Sequence, residues 1–127
     1  MIDRRVLFVG DSLVAGVGDP SGGGWVGRVV AASFASGVPV TAYNLGVRGE
    51  TSVQVASRWR HETRPRLVPG ADTGVVTSFG ANDTTIEGGQ RCVQDDRSCG
   101  ALADILDRAE TIGTPTARCG SRARRGH

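Results

Sequence analysis

The sequence predicts an α/β fold in which helices cover both faces of a parallel sheet. Short apolar runs typical of strands alternate along the 127 residues with longer segments typical of helices, and such alternation is characteristic of strand–helix–strand units. The first run, Arg-Val-Leu-Phe-Val at residues 5–9, lacks the polar alternation of a half-exposed strand. We therefore expect this strand to be buried on both faces, like the inner strands of parallel sheets.

The remaining elements are predicted from composition and from stop signals. Residues 38–43 and 74–79 are rich in the β-branched and aromatic residues that strands favour. The last helix is amphipathic, and Gly113 is a suitable C-terminal stop before Pro115. Trp25 and Trp59 are expected to pack from their helices against the sheet. The predicted elements are strands at 5–9, 38–43 and 74–79 and helices at about 24–36, 51–63 and 94–112.

Each predicted strand is followed by a small polar motif. Gly10-Asp11-Ser12-Leu13 ends the first strand, Gly46-Val47-Arg48-Gly49-Glu50-Thr51 follows the second, and Gly80-Ala81-Asn82-Asp83 follows the third. Right-handed crossovers keep successive strands parallel, so the carboxyl ends of the strands lie at one edge of the sheet. One crevice at that edge can therefore collect all three motifs.

These motifs contain the parts of a reaction centre for acyl transfer. Ser12 offers a hydroxyl that can attack a carbonyl, while a glycine N–H and the Asn82 amide can hold the resulting oxyanion. Taken alone, the Asp11-Ser12 pair has an ordinary alternative interpretation as a turn or a helix cap. The convergence of three motifs favours the chemical interpretation.

The three motifs resemble those of the SGNH hydrolases, also called GDSL-type esterases and lipases, and their order and spacing agree over about residues 4 to 115. The resemblance implies a flavodoxin-like three-layer α/β/α fold. It also implies hydrolysis of small-molecule carboxylic esters through an acyl-serine intermediate, with no cofactor and no metal. The residues that it implicates are Ser12 as nucleophile, Gly49 and Asn82 with the Ser12 N–H as oxyanion hole, and Asp11, Gly46, Gly80 and Asp83 in support.

One part of the family's pattern is missing from the sequence. SGNH hydrolases carry their general base in an Asp-x-x-His motif near the C-terminus, and this sequence contains no such motif. Its two histidines are His61, expected on the solvated surface of a helix, and His127, the last residue. A serine hydroxyl without a neighbouring base is a weak nucleophile at neutral pH. The alternatives to an active esterase are a truncated or frameshifted inactive fragment and a binding module on the same scaffold.

The C-terminal residues 116–127 do not continue the family's pattern. They are rich in arginine and contain no Val, Ile, Leu or Phe, so we expect no core strand there. We interpret residues 1–115 as an SGNH hydrolase-like domain, truncated on its C-terminal side, and 116–127 as a tail produced by a reading frame lost near Thr114. A sheet of only three strands would have an uncovered edge, which invites self-association.

Charge and composition argue against several other partners. The net charge is +2, and charges of both signs are mixed outside the tail, so nucleic acid is not an expected partner. The glycine-rich segment 16–24 looks like a phosphate cradle. However, the chain contains no lysine for a Walker motif, and Ser21 stands where the dinucleotide fingerprint has its third glycine.

The expected location is the cytoplasm, and secretion of a processed form is the alternative. No apolar run approaches the length of a membrane span, and the N-terminal residues lack the apolar region of a signal peptide. The three cysteines show no metal-ligand spacing and are expected to be free thiols. A Cys92–Cys99 disulfide is the alternative in an oxidising compartment.

Overall fold

The computed structural model describes residues 2–111 and 116–118, which form alternating strands and helices. Short 3-10 turns lie at Arg64–Arg66 and Ala81–Thr84. The strands and helices are β1 (Arg4–Gly10), α1 (Ser12–Ala15), α2 (Gly24–Ala35), β2 (Thr41–Gly46), α3 (Ser52–Thr63), β3 (Asp72–Ser78), β4 (Ile86–Glu87), β5 (Gln90–Arg91), α4 (Asp95–Thr111) and β6 (Thr116–Arg118).

The first strand lies inside the main sheet. Within the described ranges the strand order is β2-β1-β3-β6, and each neighbouring pair is parallel. Gly10, the last residue of β1, lies opposite both Gly46 of β2 and Ser78 of β3. The carboxyl ends of these three strands therefore meet at one edge, as the sequence predicts. The hairpin of β4 and β5 is a separate antiparallel pair.

Helices cover both faces of this sheet, which confirms the three-layer α/β architecture. On one face α3 and α4 bury Val55, Trp59 and Ile105 against the side chains of Leu7 and Val9. On the other face α1 and α2 bury Val14 and Val26 against Phe8. Successive residues of β1 point to opposite faces, and Leu7, Phe8 and Val9 are all buried, as expected for an inner parallel strand.

The two tryptophans pack as the sequence predicts. The Trp59 side chain is only 1% exposed within the cluster formed by α3, α4 and the sheet. The Trp25 ring meets the Phe8 ring edge-on, with centroids 5.8 Å apart and planes inclined by 76°. Aromatic pairs favour this arrangement because the positive ring edge faces the negative ring face.

The second strand lies further along the chain than predicted. It spans Thr41–Gly46 and not 38–43. Val38 instead lies just after the end of α2 and is held to its last turn, because its N–H donates to Ser33 O at 2.9 Å and its carbonyl accepts from Ser33 Oγ at 2.6 Å. Pro39 lacks the N–H that a strand ladder needs. Pairing with β1 sets the register, since Arg5 lies opposite Thr41.

The expectation of only three strands is wrong, because Thr116–Arg118 add a fourth at the edge of the sheet. These residues form β6, which pairs in parallel with Val75–Thr77 of β3. Strand pairing uses backbone N–H and C=O groups, so three residues without large apolar side chains suffice for a short edge strand. The sheet has four strands within the described residues. The division of the chain at residue 115 and the self-association remain predictions.

Candidate active site

Ser12 lies at the end of the central strand, where a turn begins. It is the first residue of α1 and is partly exposed. Asp11 caps this helix, because its Oδ1 accepts a hydrogen bond from the Leu13 N–H at 3.0 Å, and the Asp11 side chain is almost fully buried. Asp11 therefore does act as a helix cap, as the alternative interpretation of the Asp11-Ser12 pair holds. This role is compatible with the chemical interpretation, because the cap fixes the turn that presents Ser12.

Gly46 allows the second motif to approach this turn closely. A Cβ at position 46 would lie 2.4 Å from the Ala15 nitrogen and 2.8 Å from the Asp11 carbonyl oxygen. Asn44 holds the same approach, because its Nδ2 donates to Val14 O at 2.8 Å while its Oδ1 accepts from the Gly46 N–H at 3.0 Å. The end of β2 is thus packed directly on α1, and a residue with a side chain does not fit at position 46.

Gly49 occupies an exposed loop position that needs a glycine for a different reason. Its φ is +76°, in the left-handed region, and a Cβ there would meet no heavy atom within 4 Å. The requirement is therefore conformational and not steric. The loop between β2 and α3 turns at Gly49, and its backbone lies open to solvent.

The third motif reaches the second through the Asn82 side chain. Asn82 lies in the 3-10 turn that follows β3 and Gly80, and it is partly exposed. Its Nδ2 donates to the carbonyl oxygen of Glu50 at 2.8 Å. The structure therefore brings the Asn82 amide to the loop that contains Gly49. An amide NH2 group has two hydrogens, so this bond leaves one of them free to donate elsewhere.

Asp83 ties the third motif to two helices. Its side chain is 1% exposed, its Oδ1 accepts from the Ser52 N–H at 2.7 Å, and its Oδ2 accepts from Ser98 Oγ at 2.5 Å. Ser52 is the first residue of α3, where a carboxylate satisfies an unpaired N–H and interacts favourably with the helix dipole. Thr51 and Gln54 complete this helix start with a capping box. Asp83 thus joins the loop of Asn82 to α3 and α4.

Arg58 and Glu50 support the same region, and we did not predict them from the sequence. Arg58 Nε lies 2.6 Å from Glu50 Oε2, and Arg58 Nη2 donates to the carbonyl oxygens of Gly10 and Leu45, both at 2.9 Å. An arginine eight residues after a glutamate across a loop and a helix start is not a local sequence signal. Only the folded chain brings these groups together.

A cleft of about 540 Å3 opens beside Gly49 and Asn82. Ser12 is not among the described residues that line it. The floor and walls of the cleft come from the start of α3 and from the segment around the β4–β5 hairpin. The lining residues are Gly49, Thr51, Val53, Gln54, Asn82, Thr85, Glu87, Cys92, Val93 and Arg97. The lining is mixed in polarity, with both an acidic and a basic side chain.

His61 lies outside this group of residues. His61 is exposed on α3, nine residues after Ser52, which corresponds to about 13 Å along the helix axis. The site lies at the N-terminal end of that helix, so His61 is carried away from it. His127 lies outside the described residues. Nothing in the described ranges groups three or more His, Cys, Asp or Glu side chains for a metal ion.

The glycine-rich segment 16–24 is organised by one of its own carboxylates. Asp19 accepts hydrogen bonds from the Ser21 N–H at 3.0 Å and the Gly24 N–H at 2.7 Å, and it pairs with Arg28 at 2.9 Å. The Ser21 N–H and then Arg28 hold the pKa of Asp19 well below its usual range. Asp19 already occupies the start of α2, which is the position where a phosphate would sit in a nucleotide cradle.

The parallel sheet, with helices on both faces and the three motifs at one edge, defines an SGNH-hydrolase scaffold. The model of the GDSL-like lipase/acylhydrolase family matches residues 8–125, and the chain belongs to this family. No match was found among the curated proteins. No helix among the described residues is both long enough and apolar enough to cross a membrane.

Several solved structures with the same fold are esterases. AlinE4, an esterase of the SGNH-hydrolase family, is 22% identical with a TM-score of 0.76, over 93% of this chain and 59% of AlinE4. The psychrotrophic esterase EstA from Pseudoalteromonas sp. is 23% identical with a TM-score of 0.71, over 91% and 58%. The acetyl xylan esterase Axe2 from Geobacillus stearothermophilus is 19% identical with a TM-score of 0.70, over 92% and 60%. The chain thus spans about three-fifths of the length of each structure.

Proposed function

We propose that this chain carries the ester-hydrolase centre of its family. Ser12 is the nucleophile, and the Ser12 N–H, the Gly49 N–H and the Asn82 side-chain amide form the oxyanion hole. The observation that carries the proposal is the 2.8 Å hydrogen bond from Asn82 Nδ2 to Glu50 O, which holds an amide donor beside the Gly49 loop. Donors fixed in this way stabilise an oxyanion without reorganising during the reaction.

The proposed reaction follows the two steps of serine ester hydrolysis. Ser12 Oγ forms a bond to the ester carbonyl carbon while its proton passes to a base, and the carbonyl oxygen becomes the oxyanion held by the three N–H groups. The C–O bond to the alcohol then breaks, the alcohol leaves with a proton, and an acyl-serine remains. Water attacks the acyl-serine, releases the carboxylic acid and restores Ser12. The substrate is a small carboxylic ester that occupies the cleft beside Gly49 and Asn82.

The chain contains no residue that matches the general base of the family's Asp-x-x-His motif. The position of His61, about 13 Å along α3 from Ser52, favours the second candidate function: a scaffold of the same family that lacks its general base and is catalytically inactive. An oxyanion hole and substrate binding without a complete triad sustain about a thousandfold acceleration over water. Such activity is far below that of a working esterase.

Hydrolysis of p-nitrophenyl acetate by the purified chain separates the two functions. The proteins to compare are the unmodified chain, Ser12→Ala, His61→Ala and His127→Ala, each with and without added imidazole. Activity that is lost in Ser12→Ala and in one histidine variant identifies that histidine as the base. Activity that appears only with imidazole and still requires Ser12 identifies a competent centre without a base. Activity equal to that of Ser12→Ala in both conditions contradicts the proposed centre.

We also propose a cytoplasmic location. Cys92 and Cys99 carry free thiols, which are typical of a reducing compartment. Mass spectrometry of the protein alkylated in native cell extract tests this, since thiols blocked by a disulfide would not react.

A further inference from the structure

The guanidinium of Arg58 connects the ends of two strands. Its Nη2 donates to Gly10 O and to Leu45 O, each at 2.9 Å. Gly10 directly precedes the Asp11-Ser12 turn, and Leu45 directly precedes Gly46. The Val47 N–H also donates to Gly10 O at 3.1 Å, so this one carbonyl is held from two sides. Arg58 therefore fixes the distance between the first two motifs.

The same side chain connects to the third motif through Glu50. Arg58 Nε pairs with Glu50 Oε2 at 2.6 Å, and the two side chains are 17% and 18% exposed. The backbone oxygen of Glu50 accepts the hydrogen bond from Asn82 Nδ2 at 2.8 Å. Glu50 also directly follows Gly49. Arg58, Glu50 and Asn82 thus form one continuous series of contacts, which we call the Arg58 relay.

We propose that Arg58 is a positioning residue that aligns the Gly49 N–H and the Asn82 amide with Ser12. This inference rests on the proposed function of those three residues. The bond to Glu50 O fixes the plane of the Asn82 amide, and the second amide hydrogen is thereby aimed in one direction. Arg58 holds Glu50 in place for this bond. It touches no reacting atom, so it acts only through Glu50 and the strand ends.

Only arginine can make this set of contacts. The bond to Glu50 leaves from Nε and the bonds to the two carbonyls leave from Nη2, and both nitrogens lie in the rigid plane of the guanidinium. A lysine keeps the positive charge but has a single nitrogen on a flexible stem, so it cannot hold a carboxylate and two strand ends in the same geometry. The Arg58→Lys variant therefore keeps the positive charge at position 58 and removes the geometry of its contacts, so the two contributions can be measured separately.

The experiment measures geometry and rate in the same variants. Arg58→Lys and Glu50→Ala are compared with the unmodified chain, and Arg60→Lys, on an exposed position of the same helix, is the matched control. The first measurement is the 1H–15N spectrum, in which the Gly49 backbone amide and the Asn82 side-chain amide report their own environments. The second is kcat and KM for p-nitrophenyl acetate, with imidazole added to all samples.

In Arg58→Lys we expect the Gly49 and Asn82 signals to shift or broaden while most core signals stay in place. We expect kcat to fall by roughly 10- to 100-fold with KM changed by less than about twofold, because misplaced donors weaken transition-state stabilisation and not substrate binding. Arg60→Lys should match the unmodified chain in both measurements. Gly49 and Asn82 signals unchanged in folded Arg58→Lys would overturn the proposal.

Two outcomes keep this inference separate from the proposed catalysis. If the unmodified chain is no more active than Ser12→Ala, the proposed function fails, and the spectra alone still decide whether Arg58 positions the two amides. If Arg58→Lys does not fold, Glu50→Ala decides, because alanine retains the backbone carbonyl of residue 50 and removes the carboxylate that Arg58 Nε contacts. In that variant, unchanged signals of the Asn82 side chain overturn the relay.

Discussion

Replacing Gly46 with alanine is expected to destabilise the protein by about 2–4 kcal/mol. The new Cβ would lie 2.4 Å from the Ala15 nitrogen, 2.8 Å from the Asp11 carbonyl oxygen and 2.9 Å from the Ala15 Cα. These are backbone atoms that cannot rotate away, so β2 and α1 must move apart. Overpacking of this kind costs about 1–3 kcal/mol. The separation also stretches the Asn44 Nδ2–Val14 O bond, worth about 1 kcal/mol.

Urea unfolding followed by circular dichroism measures this change. Because the urea dependence of a small domain is about 1–3 kcal/mol per molar, the unfolding midpoint should fall by about 1 M or more. Gly27→Ala is the matched control, since a Cβ at that position in α2 meets nothing within 4 Å. Alanine inside a helix should stabilise by about 0.5–1 kcal/mol. A Gly46→Ala midpoint equal to that of the unmodified chain would refute the close packing of β2 on α1.

Three further predictions concern thiol reactivity, pH and association. Burial, and then the nearby Glu87, raise the pKa of Cys92, so iodoacetamide should modify Cys92 more slowly than the exposed Cys99, as peptide mass spectrometry would reveal. The lowered pKa of Asp19 means that its contribution to stability is present above a pH of about 4 and is lost as the pH falls through the folded-state pKa. The loss of stability in Asp19→Asn should accordingly be largest near neutral pH and shrink in acid, which chemical unfolding at several pH values checks. We expect the chain to self-associate through the part of the β3 edge that no strand among the described residues covers, and size-exclusion chromatography that gives a monomer at all concentrations would contradict this.

Local patterns were enough to predict the inner strand and the three motifs that follow the strands. The buried run of β1 needs nothing beyond its own residues, because an inner parallel strand is apolar on both faces wherever it occurs. The start of α3 is equally local, since Thr51 and Gln54 form a capping box within four residues. The convergence of the three motifs followed from the topology of parallel sheets, and the register of Gly10 with Gly46 and Ser78 confirms it.

What the sequence alone did not reveal depends on contacts between distant parts of the chain. Residues 38–40 are apolar enough for a strand, but hydrogen bonds to Ser33 hold Val38 at the end of α2. Strand β6 was missed because backbone pairing with β3 requires no apolar side chain. The Arg58 relay joins strand ends, a loop and a 3-10 turn, so no window of neighbouring residues contains it.

The position of β1 in the sheet also determines the order in which the chain can acquire structure. The inner strand β1 is made before both of its neighbours, β2 on one side and β3 on the other. Its apolar residues Leu7, Phe8 and Val9 gain one neighbour only when residues 41–46 arrive and the other only when residues 72–78 do. Contacts between such distant segments form slowly, because a long loop must close first. During synthesis the apolar side chains of β1 therefore lack one of their neighbouring strands until β3 has emerged, and apolar surface exposed in this way is prone to aggregation.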